Sequence, residues 1–244
     1  MEESNLTISI AHLYPELLNL YGDLGNIITL KKRCQWRNIK VEITNINMGD
    51  KIGDHDLFFI GGGQDKQQED VAQELYSHKS ELQKLRDDGA VFLGICGGYQ
   101  LFGHYYQPHG KDKLQGISLM DAYTVAGKKR FIGNVTIKTD FLTPDTLVGF
   151  ENHSGLTYLE GDTKPLGKSL VGYGNNGTDG FEGARYKNVF GTYLHGSLLP
   201  KNPQFADYLI ELAIEKKYGK KIKLSKLDDK IETETHNSLI GKNY

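Results

Sequence analysis

Short apolar runs and longer stretches of helical periodicity take turns along the first half of the chain. Leu6 to His12, Lys40 to Ile46, Leu57-Phe58-Phe59-Ile60 and Val91-Phe92-Leu93-Gly94-Ile95 read as strands. The last two are apolar at almost every position, the mark of strands buried on both faces of a parallel sheet. About Leu24 to Asn38 reads as a helix. Gln67 to Asp88 reads as a second helix, with Val71, Leu75, Leu82 and Leu85 along one face. A third is expected from Cys96 to about Tyr105. Strands alternating with helices predict an α/β fold: a flavodoxin-like, doubly wound, mostly parallel sheet whose sites form at the C-terminal ends of its strands.

The second half changes texture. Phe131-Ile132-Gly133-Asn134-Val135-Thr136-Ile137 alternates apolar with polar residues, as a half-exposed strand does. Further short strands are expected near Leu147 to Phe150, Ser169 to Tyr173, Ala184 to Lys187 and Val189 to Leu194, some of them antiparallel. Turn-rich pieces such as Gly174-Asn175-Asn176-Gly177 separate them. Pro203 to Tyr218 reads as the last core helix, with Phe205, Leu209, Leu212 and Ala213 on one face. Residues 1–219 are thus expected to form one domain. The tail, 220–244, is rich in Lys, Asp, Glu and Thr and reads as a peripheral helix or a loosely ordered end.

A formal net charge of −2 over 244 residues argues against a general nucleic-acid or membrane-surface binder. Two cysteines build no disulfide framework, and a reduced, cytoplasmic setting fits. The polar start Met1-Glu2-Glu3-Ser4-Asn5 is no signal peptide, and no apolar run approaches a membrane span.

One of the cysteines is placed for chemistry. Cys96 follows a buried strand and precedes Gly97 and Gly98, which open a helix. Flanking glycines permit a sharp strand-to-helix elbow that lifts the thiol above the sheet edge. The amides and dipole of a helix N-terminus favour the thiolate there. The plainer alternative is a cysteine that only packs well, and Cys34, inside a helical stretch, fits that description.

Two other segments converge on the same edge. Gly61-Gly62-Gly63 ends a buried strand, so its backbone can approach a ligand closely. With the Gly97 amide it would make a two-donor oxyanion hole, or else it is an ordinary flexible loop. Gly191-Thr192-Tyr193-Leu194-His195-Gly196 is a strand ending in histidine. An imidazole there could hold the thiol as thiolate and protonate a leaving amine.

Gly94-Ile95-Cys96-Gly97-Gly98-Tyr99-Gln100 together with Thr192-Tyr193-Leu194-His195-Gly196 resembles the class I glutamine amidotransferases. Gly149-Phe150-Glu151-Asn152-His153-Ser154-Gly155 looks like an element of their cobyric acid synthase-like branch. Leu18-Asn19-Leu20-Tyr21-Gly22-Asp23-Leu24-Gly25-Asn26 is similar to the start of that branch's short, free-standing glutaminases. The resemblance spans about Leu6 to Tyr218. It implies that Cys96 attacks the side-chain amide of L-glutamine to give a thioester, with His195 as base and acid. It implies further that Gly62, Gly63 and Gly97 surround the oxyanion, and that Gln100, Asn152 and His153 line the glutamine pocket. His153 could equally be a structural histidine, and Gln100 a plain helix-surface residue. Arg130 is a candidate for the glutamine α-carboxylate, since a guanidinium binds carboxylates bidentately. In Lys128-Lys129-Arg130 it could instead be part of a solvated basic run.

The resemblance also implies a partner: a Mur-ligase-like, ATP-using synthetase subunit, forming a heterodimer and activating the D-glutamate carboxyl of lipid II for amidation. No Gly-x-x-x-x-Gly-Lys-Ser/Thr loop is present, so ATP and any metal are expected on that partner and no cofactor here. The remaining histidines (His12, His55, His78, His104, His109, His236) show no ligand spacing. Two other readings stay open: a glutaminase serving a corrinoid or another carboxylate, and a redox-sensing module using the elbow cysteine. One departure stands out. Most members of the class place a glutamate two residues after the histidine, and here that residue is Ser197. The site is therefore a dyad, or its carboxylate comes from elsewhere, a synthetase partner being one source.

Overall fold

A computed structural model describes residues 2–19, 22–63 and 65–242. Leu20 and Tyr21, within the Leu18–Asn26 motif, lie outside the described residues. The first half supplies β1 (Thr7–Leu13), α1 (Leu24–Gln35), β2 (Lys40–Ile46), β3 (Leu57–Ile60), α2 (Asp65–Ser77), α3 (Lys79–Asp87), β4 (Val91–Ile95) and α4 (Gly97–Phe102). The strands β5 (Tyr105–Gln107), β6 (Leu114–Gln115), β7 (Ala122–Lys138), β8 (Thr146–Leu159), β9 (Gly167–Val171), β10 (Phe181–Glu182), β11 (Ala184–Tyr186) and β12 (Val189–Thr192) follow. The helices α5 (Pro203–Tyr218) and α6 (Lys230–Leu239) complete the chain.

The main sheet runs β11-β12-β4-β3-β1-β2. Its strands pair in parallel except for β11, which runs antiparallel beside β12. Without that edge strand the order β2-β1-β3-β4-β12 is the flavodoxin-like one. The apolar strands divide their side chains between two layers, as a period of two dictates. Leu57, Phe59, Val91, Leu93 and Ile95 pack with α1 and α5. Phe58, Ile60 and Phe92 pack on the opposite side with α2, α3 and α4. Phe58 and Phe92 stack at 4.8 Å across that second layer.

Cys34 lies wholly within the first layer, where burial pushes its thiol up to about 12. It is packing material. The helix expected over Gln67–Asp88 is two helices meeting at His78, since α2 ends at Ser77 and α3 begins at Lys79. The helix after Cys96 stops at Phe102 instead of about Tyr105. The next residues turn back into β5, because Gly103 packs so closely on Ala122 that a Cβ would lie 2.5 Å from its carbonyl oxygen.

The second half is a separate sheet dominated by the long antiparallel pair β7–β8. Its register holds from Ala122↔Leu159 to Ala126↔Gly155, shifts around residues 127–130, and resumes at Phe131↔His153. The sequence expectation captured only residues 131–137 of β7 and 147–150 of β8. In residues 122–130 the alternation is broken by Gly127, Lys128 and Lys129, and residues 151–159 carry polar side chains on the buried face at Glu151, His153 and Thr157.

Of the two readings of the tail, the helix is found, and it is latched onto the domain. The Arg33 side chain is buried and bridges Asp207 of α5 and Asp229 before α6, each at 2.6 Å. Arg37 adds Asp207 at 2.6 Å and the Ser225 carbonyl at 2.7 Å. His236 of α6 is buried between Thr146 Oγ1, 2.8 Å from its Nε2, and the Lys201 carbonyl, 2.9 Å from its Nδ1. Among the described residues no helix is long and apolar enough to cross a membrane.

Replacing Arg33 by Met removes the cation from two carboxylates held against the core. We expect this to cost roughly 3 kcal/mol, since stripping one partner from a buried pair leaves uncompensated charge. The readout is the urea midpoint, which should fall at an unchanged m-value.

Candidate active site

β4 and β12 are hydrogen-bonded neighbours in the main sheet, with Ile95 opposite Thr192. Cys96 and His195 therefore emerge from adjacent strand ends, and the Cys96 N–H donates to the Thr192 carbonyl at 2.8 Å. Cys96 takes φ +50° and ψ −104°, a conformation an L-residue adopts only under constraint. The constraint is the close approach of Gly98 to the end of β3. A Cβ on Gly98 would lie 2.6 Å from the Ile60 carbonyl oxygen and 3.0 Å from that of Gly61. The Gly98 N–H instead donates to the Gly61 carbonyl at 3.2 Å. Only glycine fits, so the elbow anticipated from the sequence is built against the neighbouring strand.

His195 is 1% exposed. Its backbone is paired with Phe150 of β8, donating at 2.8 Å and accepting at 3.3 Å, which ties the second sheet to the site. The Lys201 ammonium donates to the His195 carbonyl at 3.2 Å and to the Gly196 carbonyl at 2.6 Å. Burial pushes the imidazole down to about 3, and the nearby His153, Lys201 and Arg130 act in the same direction. The ring is neutral at neutral pH.

The glycine loop closes over this pair. A Cβ on Gly62 would stand 3.3 Å from both Cys96 Cβ and His195 Cε1. The Gly62 amide is not an oxyanion donor, contrary to the expectation from the sequence: it donates to Asp23 Oδ2 at 2.7 Å. The Gly63 nitrogen lies 3.4 Å from where a Gly97 Cβ would be, so the backbones of Gly63 and Gly97 come close together.

Asp23 is the residue that sequence reasoning missed. It is wholly buried, and its Oδ1 lies 4.0 Å from His195 Nδ1. Burial pushes its carboxyl up to about 7 against the lowering effect of the Gly62 hydrogen bond. Its motif was quoted as a family marker, and nothing in the spacing singles out the acid. The available signal was its place just after β1, at the sheet edge where such loops gather. Ser197, which stands where the class carries its glutamate, donates its hydroxyl to the Gly22 carbonyl at 2.6 Å.

The other expected residues divide. Arg130 is exposed, in the irregular stretch of β7, and its Nε donates to Asn152 Oδ1 at 2.6 Å. These two stand together on one rim. Gln100 and His153 are buried, as His195 is, and both touch Tyr193 two residues before it. Gln100 accepts from Gln68 Nε2 at 2.8 Å and donates to the Tyr193 hydroxyl at 3.2 Å, so both ends of its amide are held by the wall. The His153 ring stacks flat on Tyr193, centroids 3.6 Å apart, with Nδ1 2.8 Å from the Gly155 carbonyl.

Away from the site, His104, Asp121 and Glu160 bring ligand-type atoms within 4.8 Å of one another, a grouping the linear spacing did not show. Both ring nitrogens of His104 are engaged, Nδ1 with Ser118 Oγ at 3.0 Å and Nε2 with Asp121 Oδ1 at 2.6 Å.

Residues 9–203 match the model of the CobB/CobQ-like glutamine amidotransferase domain. The chain is 43% identical over 237 residues to the Staphylococcus aureus lipid II isoglutaminyl synthase (glutamine-hydrolyzing) subunit GatD, covering 96% of each chain. To the Streptococcus pneumoniae protein of the same name it is 39% identical, over 93% of this chain and 88% of that one. A probable cobyric acid synthase of Methanococcus maripaludis is 33% identical over 68% of this chain and 34% of its own length. Among solved structures, a glutamine amidotransferase superposes with a TM-score of 0.57 at 17% identity, covering 83% of this chain and 98% of that one. The glutaminase domain of Trypanosoma brucei CTPS gives 0.55 at 12% identity, over 90% and 98%. These structural likenesses extend the fold assignment, and the matched domain with the end-to-end identity makes the chain a member of the CobB/CobQ-like glutamine amidotransferase family.

Proposed function

We propose that this chain is the glutamine-hydrolysing subunit of a lipid II isoglutaminyl synthase. The observation that carries the reading is similarity along the whole length: 43% identity over 96% of both chains.

Cys96 Sγ attacks the side-chain amide carbon of L-glutamine, and His195 accepts the thiol proton. We assign the oxygen of the tetrahedral intermediate to the amides of Gly63 and Gly97, whose backbones lie close together. His195 returns the proton to the departing nitrogen, and ammonia leaves with formation of a glutamyl thioester. Water, deprotonated by His195, then cleaves the thioester to glutamate and regenerates the thiol. A neutral imidazole suits this cycle, since it must accept a proton before it donates one. The Arg130 guanidinium takes the α-carboxylate of the substrate through its Nη groups, while its Nε is held by Asn152. Ammonia passes to a Mur-ligase-like partner that uses ATP to activate the D-glutamate carboxyl of lipid II.

The test is ammonia release from L-glutamine by the chain alone and with a co-expressed Mur-ligase-like partner. Cys96→Ala should abolish release in both settings. Retained release in that variant, or none from the wild type with a folded partner, removes the reading. Arg130→Lys keeps the charge and loses the bidentate fork. It should raise KM about tenfold with kcat nearly unchanged, because the α-carboxylate is bound alike in ground and transition states. Gly62→Ala places a methyl group 3.3 Å from Cys96 and His195. We expect a loss of kcat on the order of tenfold or more, as small displacements of reacting groups cost, with a melting temperature close to wild type.

A further inference from the structure

Three buried carboxylates surround the strand ends that carry Cys96 and His195, and two of them are committed elsewhere. Glu182 accepts from the Thr192 hydroxyl at 2.9 Å and the Tyr193 N–H at 2.7 Å. Glu151 accepts from the N–H groups of Tyr173 at 2.7 Å and Gly174 at 3.0 Å. Asp23 is the third. It stands at the start of α1, where an aspartate ordinarily caps its own helix. Here its side chain makes no capping bond, and Asn19 Oδ1 accepts the Leu24 N–H at 2.8 Å instead. The Asp23 side chain is turned away from its helix, with one oxygen on Gly62 and the other facing His195.

We infer that Asp23 is the positioning residue of this site: one carboxylate oxygen holds His195 in the tautomer protonated on Nδ1, and the other fixes the glycine loop that carries the Gly63 amide. The inference deepens the proposed glutaminase chemistry and rests on it. A neutral imidazole has one N–H, and its position decides the chemistry. With the proton on Nδ1, facing Asp23, the lone pair of Nε2 is left to take the thiol proton. With the proton on Nε2 the ring has no lone pair for the thiol. The 4.0 Å between Asp23 Oδ1 and His195 Nδ1 exceeds a hydrogen bond. Catalytic hydrogen bonds are commonly long without substrate and tighten with it.

The two duties require a carboxylate, so they are met as pH rises through the value near 7 to which burial has pushed Asp23. Gly62 N–H and His195 Nδ1–H are both donors, so the side chain between them must accept twice. An asparagine offers one acceptor and one donor, and must fail at one of the two. Ser197 fits the same scheme. Its hydroxyl staples the His195 loop to the Gly22 carbonyl, next to Asp23, and a Cβ on Gly25 would collide with it. The position that carries the acid in most of the class here fixes the distance between the base and an acid from another loop.

The experiment is nitrogen-15 NMR of the histidine side chains in the labelled full chain, paired with ammonia kinetics, for the wild type and Asp23→Asn. The wild type should show His195 protonated on Nδ1 at pH 8, where Asp23 is ionised, without any partner. Asp23→Asn should lose that single tautomer and lower kcat by about 10²-fold or more, with KM within about twofold; a wrong tautomer costs about 10⁴-fold in serine triads. Protonation of wild-type His195 on Nε2 overturns the inference. So does a folded Asp23→Asn chain that keeps both the tautomer and kcat. If the variant does not fold, the wild-type tautomer alone decides. A wild type that releases no ammonia removes the glutaminase reading, whereas the tautomer still judges Asp23.

Discussion

The site depends on one close approach of backbone to backbone. Gly98 lies against the carbonyls that end β3, and this contact leaves Cys96 a single conformation, at positive φ and above the sheet edge. The rest follows from that placement. α4 can start only at Gly97, so its first amides face the thiol. The loop after β3 must turn at once, and only glycines let it pass between Cys96 and His195. The strain at Cys96 is held by the buried parallel strands on either side of β4, where Phe58, Phe59 and Val189 are packed without exposure.

The parallel sheet, the elbow and the histidine at the end of β12 were legible in the sequence because each is a local pattern. An apolar run before Cys96 and glycines after it name an elbow with no knowledge of the rest of the chain. Asp23 was not legible because its role is wholly non-local. The residues it serves, Gly62 and His195, come from two other loops, and an acid at the start of a helix ordinarily means a cap. Which way Gln100 and His153 face was hidden for a related reason, since Tyr193, from a distant segment, meets both with its hydroxyl and its ring. The break at His78 and the stretches 122–130 of β7 and 151–159 of β8 were likewise hidden, since packing against distant elements decides them.

Besides the side chains of Arg130 and Asn152, the second sheet reaches the site, as the tail does, through the backbone of His195. Phe150 pairs with His195, and the Lys201 ammonium grips the carbonyls of His195 and Gly196. The carbonyl of Lys201 in turn lies against His236 of α6. The end of the chain is thus two contacts away from the imidazole, and the tail belongs to the scaffold of the base.

The pairing of Ile95 with Thr192 means that nucleophile and base are neighbours by sheet register. A slip of one residue between β4 and β12 would shift the strand that leads to His195 by about 3.3 Å and turn the side chains of β12 to the opposite faces. The pair would be unmade with every side chain still present. The geometry of the reaction is stored in peptide hydrogen bonds, which substitution of side chains does not erase, while the insertion or deletion of a single residue would.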